Sequence, residues 1–135
     1  MFEKFINSRY TMPALYVIII FLLLIGKFYA QTPQQVYNAC VEAEIQHPEI
    51  VTRQAILETG WFECESCSLR YNNIFGFWNG KEYLEFSHWK RSVYYYRSWV
   101  IRKGYSGGDY YEFLKKKWGA PDMDKYCNKL KAIEI

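Results

Sequence analysis

The sequence has little of the chemistry that metal sites and nucleophilic enzymes use. It contains two histidines, His47 and His88, and neither stands in a recognisable catalytic setting, which disfavours a cysteine nucleophile with a histidine base. One C-x-x-C pair is present at Cys64 and Cys67, but a second C-x-x-C pair and an H-x-H pair are missing. We therefore expect no metal site and no cofactor.

The sequence also lacks an apolar run of full membrane-spanning length. Its most apolar run, residues 12–26, is shorter than the roughly 20 residues that a spanning helix needs. Lys4 and Arg9 precede this run and a polar stretch follows Ala30, which is the layout of a signal peptide. We expect residues 1–30 to be a signal peptide or an uncleaved membrane anchor. The remainder would then be periplasmic, secreted, or anchored facing outside the cytoplasm.

Neither length nor charge favours a larger or nucleic-acid-binding protein. About 105 residues follow the export segment, which is the size of one small domain and leaves no room for a second. The formal charge of the chain is +3, and it falls to about +1 without the first 30 residues, because these contain three basic residues and one acidic residue. We expect residues 31–135 to form one monomeric domain with no nucleic-acid partner, and a membrane contact only through an uncleaved N-terminal segment.

Four cysteines in a small exported domain indicate disulfide bonds. Cys40, Cys64, Cys67 and Cys127 allow three pairings, which the sequence leaves open. Of these we predict Cys64 with Cys67 and Cys40 with Cys127. The second pair would join the first helix to the last.

Hydrophobic spacing and turn residues predict five helices and one hairpin. The helices are expected at residues 33–45, 48–60, 89–103, 110–118 and 123–133. The Asn79-Gly80 pair between residues 74–78 and 82–86 predicts a short β-hairpin, since Asn-Gly is the strongest two-residue turn signal. The predicted fold class is mainly α, as an α+β arrangement. A helical domain and a small hairpin lobe would form a cleft suited to a polymer.

Glu58 stands out on a helical wheel of residues 49–61, because it lies in the middle of the apolar side, next to Gln54. The wheel places Ile50, Val51, Ala55, Leu57 and Trp61 on that side, with Thr52, Arg53 and Thr59 opposite. Burial of a carboxyl group raises its pKa, since desolvation penalises the charged form. A raised pKa suits the general acid of a glycosidase. The alternative is a structural role in which Glu58 caps or pairs with a neighbour such as Arg70.

Two motifs in the chain resemble those of a known family. The first is Gln54-Ala-Ile-Leu-Glu58-Thr-Gly60-Trp, and the second is Asn72-Asn-Ile-Phe-Gly76-Phe. With the C-terminal Tyr126-Cys-Asn-Lys-Leu130, they resemble the glucosaminidase family, peptidoglycan hydrolases of the flagellar-rod and autolysin type, over about residues 34–133. The resemblance implies a lysozyme-like fold and an endo-β-N-acetylglucosaminidase acting on peptidoglycan strands.

The resemblance also implies roles for individual residues. The family's catalytic acid falls on Glu58 and its functional tyrosine falls on Tyr126. Its cleft-lining segment falls on Asn72, Asn73, Phe75 and Gly76. Aromatic residues make up 20% of the chain, and four of them are candidates for stacking on sugar rings, although such residues are also common in cores: Trp61, Phe75, Trp78 and Tyr83.

The second catalytic group stays open. Some family members place an acidic residue on the hairpin, and here Glu82 and Glu85 are candidates, with Glu85 preferred because strand alternation turns it away from its apolar neighbours. Tyr126 as a stabiliser and the substrate's own acetamido oxygen are the other options. We favour the acetamido oxygen assisted by Tyr126. The chain also departs from its relatives at Trp118, where they often have Tyr.

Other functions fit the same residues. A muramidase or a lytic transglycosylase would use the same scaffold and a single helical Glu. A catalytically inactive module that binds the cell wall, or a structural membrane-anchored protein, would need no acid at all. Which glycosidic bond is cut, and whether the protein remodels its own wall or acts as a toxin or a lysin, are not readable from the residues.

Overall fold

The computed structural model describes residues 31–135, and the predicted signal peptide or anchor lies outside the described residues. Within these residues the chain forms five α-helices and one short 3₁₀ helix. The α-helices are α1 (Pro33–Glu42), α2 (Pro48–Thr59), α3 (Trp89–Arg102), α4 (Tyr110–Lys117) and α5 (Met123–Ala132), and the 3₁₀ helix is Ser68–Tyr71. The mainly helical prediction is therefore confirmed. None of the helices in residues 31–135 is long and apolar enough to cross a membrane.

Local capping determines where the first helix begins and where the first two helices end. Thr32 and Gln35 form a reciprocal capping box ahead of α1, which satisfies two backbone N–H groups at the helix start. The first helix ends at Glu42, three residues earlier than predicted, because Glu44 adopts a left-handed conformation with φ 58°. The backbone N–H of Ile45 then donates to Cys40 O at 3.0 Å, as in a Schellman-type ending. Gly60 closes α2 with φ 55°, as predicted.

The second helix, α2, lies at the centre of the domain. The prediction for the side of this helix opposite its apolar side is wrong. Thr52 and Thr59 are fully buried instead of facing solvent. Their hydroxyl groups donate to backbone carbonyls one turn earlier, at 2.7 Å and 2.6 Å, so burial leaves no unpaired polar atom. Trp61 is 52% exposed, because it lies beyond the helix end with φ 63°. The main packing neighbours of α2 are α1 and α5, so this helix is buried on more than one face.

The predicted hairpin is reduced to a single antiparallel bridge between Trp78 and Tyr83. The described part of the chain contains no strand and no β-hairpin lobe. The backbone N–H of Leu84 donates to Phe77 O at 3.0 Å, but the reciprocal bond of a strand pair is replaced by the side chain of Asn73. Its Oδ1 accepts from Phe77 N at 3.0 Å, and its Nδ2 donates to Leu84 O at 2.9 Å. We call residues 77–84 the bridge loop.

One of the two predicted disulfides is formed. Cys64 and Cys67 are bonded, whereas Cys40 and Cys127 are free, buried thiols, so the second predicted pair is wrong. The reason is the packing of the helices. The first helix packs mainly against α2 and α3, and α5 packs mainly against α2 and α4. Burial raises the pKa of the Cys40 thiol to about 12.

Candidate active site

A pocket of about 540 Å³ lies at the C-terminal end of α2. Its walls come from α2, from the segment around Gly76, from α3 and α5, and from the connection between α4 and α5. The lining residues are Glu58, Phe75, Gly76, Phe77, Trp78, Trp99, Lys117, Trp118, Gly119, Ala120, Pro121 and Tyr126. Glu58 is the only carboxylate among these lining residues, and five of the twelve are Phe or Trp. The pocket therefore combines one acid with broad aromatic walls.

The two oxygens of Glu58 have different surroundings. Oε1 accepts a hydrogen bond from the Tyr126 hydroxyl at 2.8 Å and another from the Trp118 indole Nε1 at 3.3 Å. No group in residues 31–135 donates a hydrogen bond to Oε2. This oxygen lies 3.4 Å from the position that a Cβ on Gly76 would occupy. Gly76 also has φ 70°, so glycine meets two requirements here, a left-handed backbone and space beside Oε2.

Burial raises the pKa of Glu58. The side chain is half-buried at the end of a central helix, and loss of water penalises the carboxylate form. The hydrogen bonds from Tyr126 and Trp118 favour the carboxylate and partly offset that effect. Glu58 consequently holds its proton to higher pH than an exposed glutamate does.

A chain of buried polar groups continues behind Tyr126. The amide Nε2 of Gln54 donates to the Tyr126 hydroxyl at 3.3 Å, and the Tyr96 hydroxyl donates to the amide Oε1 of Gln54. The hydroxyl groups of Tyr96 and Tyr110 are 2.8 Å apart. Burial raises the pKa of all three tyrosines, so these hydroxyl groups stay neutral. The chain joins α2, α3, α4 and α5 around Glu58.

Five of the predicted site residues lie together at this pocket: Glu58, Tyr126, Phe75, Gly76 and Trp78. Asn72 and Asn73 do not line the pocket, and their side-chain amides form hydrogen bonds with backbone groups instead. Asn72 Nδ2 donates to Phe86 O at 2.9 Å, and Asn73 clamps the bridge loop from inside the core, where it is fully buried. In this structure both amide groups therefore face backbone rather than the pocket, and their predicted role in substrate binding stays a prediction.

The other predicted residues lie outside the pocket lining. Glu82 and Glu85 are exposed, and so is Trp61. Tyr83 contacts the Trp78 ring edge to face, with centroids 5.1 Å apart, and so supports Trp78 from outside. Across residues 31–135, no group of three or more His, Cys, Asp or Glu could hold a metal ion.

Sequence reasoning missed much of the wall that faces Glu58. Trp118 was noted only as a departure from relatives, yet its indole contacts the acid directly. Phe77, Trp99 and residues 119–121 were also missed. The Gly119-Ala-Pro121 break between two helices was the one available signal, since such a break marks a connection with restricted backbone.

Comparison with known proteins gives one match. No curated protein and no solved structure matches the chain. The family model Glucosaminidase, described as mannosyl-glycoprotein endo-beta-N-acetylglucosaminidase, matches residues 34–134. The match spans all the residues that line the pocket and confirms the resemblance found in the motifs. This chain therefore belongs to the Glucosaminidase family.

Proposed function

We propose that the protein is a peptidoglycan hydrolase that cleaves glycan strands as an endo-β-N-acetylglucosaminidase, with Glu58 as its general acid. The observation that carries the proposal is the state of Glu58, a half-buried carboxyl with a raised pKa and one oxygen beside the pocket. Membership of the Glucosaminidase family supports a glycoside hydrolase acting on peptidoglycan. The pocket at the end of α2 is the substrate cleft of this proposal, in a lysozyme-like arrangement.

Glu58 would protonate the glycosidic oxygen as the bond to the anomeric carbon breaks. A protonated carboxyl is needed at the start of this step, and burial supplies it by raising the pKa. Tyr126 holds Glu58 through Oε1, which leaves the carboxyl fixed on one side. The acid is then in place before the substrate arrives, which lowers the cost of orienting it.

The second group is the substrate's own acetamido oxygen, assisted by Tyr126. Glycosidases that use two carboxylates place them about 5–10 Å apart across the scissile bond, but Glu58 is the only acid in the pocket lining. The acetamido oxygen of N-acetylglucosamine attacks the anomeric carbon while Glu58 donates its proton to the leaving oxygen. Water then adds to the anomeric carbon and opens the cyclic intermediate, and its proton returns to the Glu58 carboxylate. Glu85 remains the alternative base, and it would have to reach the pocket from an exposed position.

The aromatic wall suits a sugar chain. Trp78 is 55% exposed and lines the pocket beside Phe77, so its ring face is available to the apolar face of a pyranose. Lys117 adds a cation to the same pocket, which suits the carboxylates that peptidoglycan carries on its peptide branches. These features favour an anionic glycan over a neutral one.

The same proposal locates the protein outside the cytoplasm. Residues 1–30 would act as a signal peptide or anchor, and residues 31–135 would be the monomeric catalytic domain. A Cys64–Cys67 disulfide fits an oxidising compartment.

Digestion of purified peptidoglycan by the wild-type protein and by Glu58→Gln tests the proposal. We expect soluble products with N-acetylglucosamine at the reducing end from wild type, and almost none from the variant. Glu63→Gln is the matched control, because Glu63 is exposed and outside the pocket lining. N-acetylmuramic acid at the reducing end would identify a muramidase instead, and the anhydro sugar a lytic transglycosylase. Wall binding without any product in wild type would identify an inactive binding module.

A further inference from the structure

We propose that Trp118 and Gln54 are positioning residues that keep Oε1 of Glu58 a hydrogen-bond acceptor and so place the acidic proton on Oε2, beside Gly76. The catalytic meaning of this placement rests on the proposed function. The location of the proton is a property of the folded protein and can be measured without substrate.

Trp118 acts on Oε1 directly. An indole N–H can donate but cannot accept, so a proton on Oε1 would face the N–H of Trp118 across 3.3 Å without an acceptor. The ring cannot easily turn away from this contact. It packs edge to face against Trp99 and Phe77, with centroids 5.1 Å and 5.8 Å away, and its backbone N–H closes α4 at 2.8 Å from Leu114 O.

Gln54 acts through Tyr126. A tyrosine hydroxyl has one hydrogen to donate, and the Gln54 amide Nε2 already donates to the Tyr126 oxygen. The Tyr126 hydrogen is therefore left to point at Glu58 Oε1. The orientation of the amide is set in turn by Tyr96, which donates to Gln54 Oε1. Both Gln54 and Tyr96 are fully buried, so bulk water cannot supply a substitute donor.

Two fixed donors on one oxygen leave the other oxygen for the proton. Oε2 has no partner within residues 31–135, and it lies on the side of Gly76, which lines the pocket. A proton on Oε2 points to the space that a glycosidic oxygen must occupy. The same proton on Oε1 would point into the protein and could not reach the substrate.

The titration of Glu58 can be distinguished from that of the tyrosines and the thiol around it. Tyr126 faces the acid from α5, and behind it come Tyr96 on α3, Tyr110 on α4 and Cys40 on α1. Burial raises the pKa of each of these four groups, so they stay neutral where Glu58 titrates. Lys117 also lines the pocket. A carboxyl titration seen at this site therefore belongs to Glu58, which is the only acid in the pocket lining.

Infrared spectroscopy of protein labelled with carbon-13 glutamate can test the placement. The protonated Glu58 band is assigned by its loss in Glu58→Gln. Replacement of Trp118 by benzothienylalanine removes the N–H and keeps the ring shape, and Gln54→Met removes the amide. In both we expect the carbonyl band to move to higher frequency, because Oε1 accepts fewer hydrogen bonds. The titration midpoint should rise by about one pH unit for the Trp118 replacement, with an equal shift in the alkaline limb of kcat.

The control is the same replacement at Trp89, which is half-buried and outside the pocket lining. Thermal melting of each variant reports whether it is folded, and if Gln54→Met does not fold, the Trp118 replacement alone decides. An unchanged band and midpoint in a folded Trp118 replacement would overturn the proposal. A shifted band in a protein that digests no peptidoglycan would sink the proposed function and leave the proton placement standing.

Discussion

The helical wall of the pocket, made of Glu58, Trp99, Trp118 and Tyr126, differs from the bridge loop in how its side chains are held. Trp118 and Tyr126 both donate hydrogen bonds to Glu58, and these side chains are packed between helices. The bridge loop is held by one antiparallel bridge and by the side chain of one residue, Asn73, and its Trp78 is exposed. The difference separates two tasks. In the proposed function, the proton donor needs fixed geometry, whereas a surface that binds a long polymer can be more exposed.

Loss of the Tyr126 hydroxyl should have the largest effect and tests the helical wall. In Tyr126→Phe, Glu58 loses a donor and the Gln54 amide loses its acceptor. We expect kcat on peptidoglycan to fall by about 10²-fold, in the range seen when one catalytic donor is removed, with little change in KM. Tyr37→Phe is a suitable control, because Tyr37 lies on α1 outside the pocket lining. A kcat within threefold of wild type would contradict a role for Tyr126.

Removal of the Asn73 amide should come next and tests what holds the bridge loop. Asn73→Ala leaves backbone groups of Phe77 and Leu84 unpaired. We expect the free energy of unfolding to drop by about 2–4 kcal/mol, measured by urea denaturation. Asn72→Ala, which removes one hydrogen bond, should cost about 1 kcal/mol. Equal losses for the two variants would mean that Asn73 is not the clamp of the loop.

Removal of the Trp78 ring should affect binding without affecting stability. The ring is more than half exposed and lines the pocket, so Trp78→Ala removes a sugar-stacking surface and little core packing. We expect KM for soluble glycan strands to rise by about fivefold to tenfold, from the roughly 1 kcal/mol that such contacts contribute. Trp61→Ala is matched in exposure and lies outside the pocket lining, so its KM should not move. Similar effects of the two would remove Trp78 from the substrate site.

The charge of Glu58 should make stability depend on pH. Its pKa is higher in the folded protein than in the unfolded chain, so between the two pKa values the folded state binds more protons and stability falls as pH rises. Glu58→Gln cannot ionise. We expect it to melt at a higher temperature than wild type above the folded pKa, with the difference vanishing near about pH 4. A difference that stays constant across this range would contradict the raised pKa.

Neutralisation of Glu85, which directly follows the bridge loop, should have the smallest effect and tests whether this part of the chain supplies a catalytic group. Glu85 is exposed and outside the pocket lining. We expect Glu85→Gln to keep kcat within about twofold of wild type, because an exposed charge away from the site has little influence on it. Glu82→Gln gives the comparison along the same loop. A loss of about 10²-fold in either would mean that the loop closes over the substrate and brings a base with it.

Local signals predicted the helices well because their causes are local. Pro48 suits a first helical turn, and Gly60 supplies the left-handed ending of α2; both act within a few residues. The bridge loop was predicted as strands because residues 74–86 have the correct turn and spacing. The side chain of Asn73, eleven residues before Leu84, takes the place of a strand hydrogen bond. A propensity for strands cannot anticipate that replacement.

The cysteine pairing shows the same limit. Cys64 and Cys67 are three residues apart and were predicted to bond. The pairing of Cys40 with Cys127 required α1 and α5 to lie against each other, but each packs against α2. The packing partners of a helix depend on all of its faces at once, and hydrophobic spacing reports only which face is apolar.

By itself, the sequence predicted the five helices, the Cys64–Cys67 pair, the family motifs and Glu58 as a candidate acid, because each prediction follows from residues close together in the chain. Only the tertiary structure decided what surrounds that acid. Trp118 and Tyr126 lie 60 and 68 residues after Glu58, and the exposed Glu85 lies outside the pocket lining. Such contacts depend on how helices pack and where side chains point, and the tight packing of the interior sets both together.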